Sequence, residues 1–180
     1  LLTADLENPA RRFPSTLTAL LWDLAIARSD KQNLGLNRDL IDRYGGIHSL
    51  GYAIMACPTL FEGLQTVKKY LAVLSEAPLF AMVKEERGYW IYGNLQGEKH
   101  APRQRVEFGF LMVLMVCTWF TRTKIRPQEM EFIYPLPTNL QCYKDMFLVD
   151  VRFNQQENRM LLSHRDLQLT LPCYDPLLAS

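Results

Sequence analysis

Three histidines, at 48, 100 and 164, are the side chains of this chain whose ordinary titration lies nearest neutral pH. Base catalysis or metal binding would need them paired with each other or with carboxylates at fixed spacing. No HExxH, paired His or Asp-x-Asp pattern occurs. His48 stands among apolar residues, His100 in a polar stretch and His164 before a final turn, so each is expected to be satisfied or solvated. Ser49 and Ser75 have no GxSxG context that would make either a nucleophile. Gly45-Gly46 and Gly51 lack the preceding strand and following helix of a phosphate loop. Cys57, Cys117, Cys142 and Cys173 form no CxxC pair, which argues against a zinc or redox site and for a reducing compartment. An enzyme is not the expectation, and neither is a cofactor or a metal.

The aromatic residues offer a different chemistry. Tyr52, Tyr70, Trp90, Tyr92, Phe108, Phe110 and Trp119 come from elements expected to face one another. Aromatic walls with a few polar handles are what a small-molecule pocket requires, although a filled core uses the same residues. Arg105 and Glu107 open the most apolar helix of the chain. That pair either enters the core to orient a polar ligand or forms the solvated first turn. For Glu107 the helix dipole favours the first-turn position. The candidate pocket is therefore Tyr52, Tyr70, Trp90, Tyr92, Arg105, Phe108 and Trp119.

These residues need elements to hold them. Leu17, Leu20, Leu21, Leu24 and Ile26 recur at helical spacing after Ser15, a candidate N-cap. Short helices are predicted over 37–44 and 47–56, the first ended by Gly45-Gly46 and the second by Cys57-Pro58. Thr59-Leu60-Phe61-Glu62 is a capping box, opening a helix with Leu60, Leu64, Val67, Tyr70, Leu71 and Leu74 on one stripe. Pro78 ends it. Period-two runs over 79–85 and 89–95 then predict a hairpin through Glu86-Arg87-Gly88, placed mid-sheet because both its faces are apolar. Pro102 suits the first position of a helix over 103–122 that is apolar nearly all round and so expected at the centre. Further strands are predicted over 129–134 and 149–153, the latter answered by Met160 to Leu162, with a short helix over 138–145 between them. The expected fold class is α+β, a single domain with several helices on a sheet of about five strands around one central apolar helix.

Composition agrees with one folded domain. The 180 residues are 48% hydrophobic and 22% charged, and can bury roughly 70% of the unfolded surface. A net charge of +1 carries no basic stripe of the kind that grips nucleic acid. The longest apolar run, Phe108 to Phe120, is shorter than the ~20 residues that span a bilayer, and no secretory h-region precedes it. No membrane partner is expected. Beginning at Leu1 rather than Met, the chain is expected to be part of something longer.

Several motifs occur in one order. Gly46-Ile47-His48-Ser49-Leu50-Gly51-Tyr52-Ala53 runs into Cys57-Pro58-Thr59-Leu60 and a helix closing near Tyr70. Leu34-Gly35-Leu36 precedes them, and Arg105-Val106-Glu107 and PQEMEFIYPLP (127–137) follow. Tyr143 and Phe147 then lead to Val151-Arg152-Phe153, and Leu171-Pro172 to Asp175-Pro176. Together they resemble the arabinose-binding-domain-like N-terminal domain of AraC-type transcription regulators, from about Leu1 to Ala179. The chain departs from that pattern at Tyr134, where the family often has histidine, and at Asn37-Arg38, where it has a glycine-containing continuation.

The resemblance implies a cytoplasmic module that senses a small-molecule effector and forms a homodimer. It also implies contact with DNA through a C-terminal pair of helix-turn-helix motifs that residues 1–180 do not contain. An effector is then expected between the central helix and the 79–95 hairpin. A pure dimerisation module without a ligand is the alternative.

Overall fold

Helices come first along the chain, and the five strands follow, interrupted by the longest helix. The computed structural model describes residues 15–29, 33–42, 48–74, 81–93, 101–172 and 174. Ser75, Pro78, His100, Cys173, Gly45-Gly46, Asp175-Pro176 and residues 1–14 lie outside them. Helix α1 (Ser15–Arg28) is followed by a 3-10 turn (Leu34–Leu36), α2 (Arg38–Asp42), α3 (His48–Met55) and α4 (Leu60–Leu74). The Thr59 hydroxyl accepts the Glu62 N–H at 3.3 Å, one half of the expected capping box. Then come β1 (Ala81–Glu85), β2 (Gly88–Tyr92), α5 (Arg103–Thr121), β3 (Glu129–Glu131), α6 (Gln141–Phe147), β4 (Val151–Arg152), β5 (Arg159–Ser163) and α7 (His164–Leu167). Helices on one mixed five-stranded sheet make the fold α+β, as expected.

The strand order is β1-β2-β5-β3-β4. All neighbours are antiparallel except β3 and β4, which run parallel. Two expectations change here. The hairpin forms with the predicted turn but lies at the sheet edge, with β1 outermost rather than mid-sheet. Strands β4 and β5 do not pair with each other, because β3 stands between them and bonds to both. Local alternation cannot show this, since it reports which face a residue takes and not which strand lies beside it.

Register sorts the side chains into two faces. Ile91 pairs with Met160, and Met160 with Met130, so these three share one face with Leu162. All four are fully buried and join the core with Phe132, Leu60, Leu64 and the α5 stripe. Each such side chain contributes about 1.5–3 kcal/mol by leaving water. Phe61 of α4 seats on this face against Tyr89, ring centroids 4.9 Å apart. Helix α5 buries Val106, Glu107, Phe110, Leu111, Leu114, Met115, Cys117 and Thr121, while Gly109 and Trp119 face outward.

The start of α5 is fixed by a close backbone approach. A Cβ on Gly35 would collide with the Gln104 carbonyl, so the 3-10 turn can lie against this first turn only with glycine there. Pro102 is the N-cap, at φ −56° and ψ 141°, one position before that expected. Helix α6 also starts later than its pattern suggests, after Leu140, which makes no side-chain cap.

Candidate functional site

On α5 the spacing of four places Glu107 one turn beyond Arg103 and on the same side. Of the two positions open to Glu107, solvated turn or core, the structure selects the core: the residue is 0% exposed. A buried carboxylate must be answered by donors or neutralised. Here the Tyr143 phenol donates to Oε1, and the Tyr134 phenol donates to the same oxygen at 3.2 Å. Arg103 Nε stands 3.2 Å from Oε1 as well. That approach has ion-pair distance without hydrogen-bond geometry, because Arg103 Nε has no hydrogen-bond partner. Two phenol donors and one guanidinium crowd one oxygen. The other, Oε2, is buried and has none.

The walls are aromatic. Phe132 is fully buried and meets five rings: Tyr134 stacked at 4.7 Å, and Phe110, Tyr143, Phe147 and Phe153 at 5.8–6.2 Å. Phe153 closes edge-on against Tyr143 at 5.1 Å. The Arg103 guanidinium carbon lies 5.7 Å from the centre of the Tyr134 ring. Strand alternation explains why Met130, Phe132 and Tyr134 turn inward while Glu129, Glu131 and the exposed Ile133 turn outward. Past β3 the segment is held by the Phe132 N–H to the Arg152 carbonyl (2.9 Å) and the Asn154 N–H to the Tyr134 carbonyl (3.0 Å).

The electrostatics follow from burial. Desolvation pushes the Glu107 carboxyl above its ordinary value near 4.5, opposed by the Tyr143 bond, the Arg103 charge and the Tyr134 bond. Both phenols are pushed up, first by burial and then by Glu107, so at neutral pH they remain O–H donors. Their surroundings reward a charge-compensating or hydrogen-bonding guest and offer no nucleophile. Cys117, the nearest thiol on α5 by sequence, is buried and pushed up to about 12, which leaves it inert. Among the described residues no group of His, Cys, Asp and Glu could hold a metal ion.

The seven residues expected to line a pocket take several different places in the fold. Tyr52, Tyr70 and Trp119 are 70%, 52% and 46% exposed. Phe108 packs on Trp22 of α1, ring centroids 5.5 Å apart, and Arg105 is half-buried. Trp90 and Tyr92 do come together, on the outer sheet face, through Arg159. Its guanidinium carbon is 4.1 Å from the Trp90 ring centre, and Nη1 donates to Tyr92 Oη at 3.4 Å. The residues missing from the sequence reading are Arg103, Phe132, Tyr134, Tyr143, Phe147 and Phe153. All but Arg103 lie within the motifs quoted above. His164, as expected, is satisfied, with Nε2 3.1 Å from the Glu85 carbonyl and its ring edge-on to Tyr89.

Comparison with known proteins agrees with this architecture. Residues 1–171 match the family described as the arabinose-binding domain of AraC transcription regulator, N-term. No curated protein matches the chain. Among solved structures, the crystal structure of transcriptional regulator CdpR from Pseudomonas aeruginosa is similar in fold, with a TM-score of 0.64 at 16% identity. The match covers 93% of this chain and 55% of that one, so the chain spans about half the length of the regulator it resembles.

Proposed function

Because the chain belongs to the family of N-terminal arabinose-binding domains of AraC transcription regulators, we propose that it is the effector-sensing and dimerisation half of such a regulator. The observation that carries the reading is Glu107: fully buried, ringed by aromatic side chains, and bonded at only one of its two oxygens. Native interiors rarely leave a buried acceptor bare, and a bound group that donates to it would supply the missing partner. A small metabolite entering past the half-buried Arg103 and Tyr134 would reach it. An effector that favours one arrangement of this domain then biases how a C-terminal helix-turn-helix half is presented to DNA. DNA is thus a partner of the whole regulator, in the cytoplasm. No helix of the described residues is long and apolar enough to cross a membrane.

Self-association is the second part of the reading. Helix α1 leaves Leu20, Leu21 and Leu24 exposed at 62%, 46% and 47%, in support of a twofold pair of such domains. Two measurements test the whole. In thermal denaturation against a panel of metabolites, the effector at about 100-fold excess over its Kd adds about 2.7 kcal/mol. In sedimentation equilibrium the domain runs as a dimer, weakened by Leu24→Glu. A dimer that no metabolite stabilises would leave a dimerisation module alone. A reporter whose induction survives Glu107→Ala would move the effector elsewhere.

A further inference from the structure

The cage around Glu107 already holds a cation, and holds it poorly. The Arg103 guanidinium sits over the Tyr134 ring and beside Glu107 Oε1, yet Nε makes no hydrogen bond and Glu107 Oε2 accepts none. A carboxylate among aromatic faces favours a positive guest twice, through its charge and through the negative faces of the rings. Arg103 uses both only in part, without a hydrogen bond from Nε and without reaching Oε2. Its Cα lies only one helical turn from Glu107, which brings the guanidinium to the already crowded oxygen. Its side chain is 29% exposed, so it also has a path out to solvent.

We propose that the effector of this domain carries an ammonium group, which displaces the Arg103 side chain and donates to Glu107 Oε2 inside the ring of Phe132, Tyr134, Tyr143 and Phe153. This deepens the sensing reading and rests on it. Arg103 acts as a built-in competitor: empty, the cage keeps its charge neutral with its own guanidinium, and loaded, it releases that guanidinium from the first turn of α5. A compact ammonium has three donors and no tether to α5, so it can reach the bare oxygen directly. A neutral alcohol would donate one bond but leave the carboxylate charge to Arg103, so it would not displace it.

Three probes of matched length separate the classes: propylammonium, 1-propanol and propanoate, titrated calorimetrically at constant ionic strength and about pH 8, where the ammonium is still protonated. Propylammonium is expected to bind wild type, to lose about tenfold or more in affinity with Glu107→Gln, and to bind severalfold to about tenfold tighter with Arg103→Met. Arg103→Gln replaces Arg103→Met if the latter fails to fold. Failure of propylammonium to bind, or equal binding to Glu107→Gln, overturns the ammonium assignment. Weaker binding by the Arg103 variant overturns the displacement. If 1-propanol or propanoate binds instead, the assignment falls while the sensing reading stands. If no probe binds and no metabolite stabilises the domain, both fall.

Discussion

The outer face of the sheet and the cage beneath α5 are both built from carboxylates, guanidinium groups and aromatic rings, and they resolve their charges in opposite ways. On the sheet, a ladder runs from Glu85 to Arg87, Glu129, Arg152, Glu131 and Arg159, ending at Tyr92. Each carboxylate of the ladder meets a guanidinium, and Glu129 and Glu131 each meet two. Arg87 and Arg152 are more than half exposed, so water screens their pairs, while the buried Glu131 is answered by two guanidinium groups. In the cage one carboxylate is fully buried, meets two phenol donors and a guanidinium at a single oxygen, and leaves the other bare. A satisfied, screened network stabilises a surface by small increments, whereas a half-satisfied buried group is costly enough to require a reason. The proposed ligand recognition would supply that reason.

The sharpest way to break the contrast is to empty the cage. Phe132 touches five rings at the centre of the cluster, so Phe132→Ala should destabilise by about 3–5 kcal/mol, read as a fall in the urea midpoint at constant m. An effect below about 1 kcal/mol would show that the rings are loosely packed and that the cage is not a rigid site.

The pH dependence comes next in size. With its folded value raised, Glu107 binds more protons folded than unfolded above about pH 4.5, so its ionisation opposes folding. Stability should therefore fall as pH rises from about 4.5 through the raised value of the folded carboxyl, and Glu107→Gln should flatten that slope. A slope unchanged in Glu107→Gln would mean that the carboxyl is compensated as fully as those of the ladder.

The smallest effect belongs to the ladder itself. Arg152→Ala removes contacts to both Glu129 and Glu131, yet its exposure limits the loss to about 1 kcal/mol or less, and salt should shrink it further. A loss of several kcal/mol that resists about 0.5 M salt would place the ladder with the cage and erase the distinction.

Much of the fold was readable in the chain because its signals are local. Thr59 and Glu62 are three residues apart, and the bond between them follows from the spacing alone. The turn at Glu86-Arg87 joins strands whose register is set within a dozen residues. The strand neighbours of β4 and β5 were not readable, since β3 enters between them from more than twenty residues upstream. The same limit hid the cage. From the sequence Glu107 could be a solvated residue near the start of its helix or a core one, and only the arrival of Tyr134 and Tyr143 from elsewhere shows that it is inside. Tyr134 had drawn notice as the place where histidine is common in the family, and in the structure its phenol reaches Glu107. Trp90 and Tyr92 show the same limit from the other side, since their place around Arg159 is set by a strand nearly seventy residues away.

By itself, then, the sequence determined the helices, the hairpin, the α+β class and, through motifs in register, the family. Tertiary structure alone decided that Arg103, Glu107, Phe132, Tyr134, Tyr143 and Phe153 share one small volume. Periodicity records the face a side chain takes on its own element, over a turn or a pair of residues. What it faces is set by packing between elements tens of residues apart, and no local spacing encodes that.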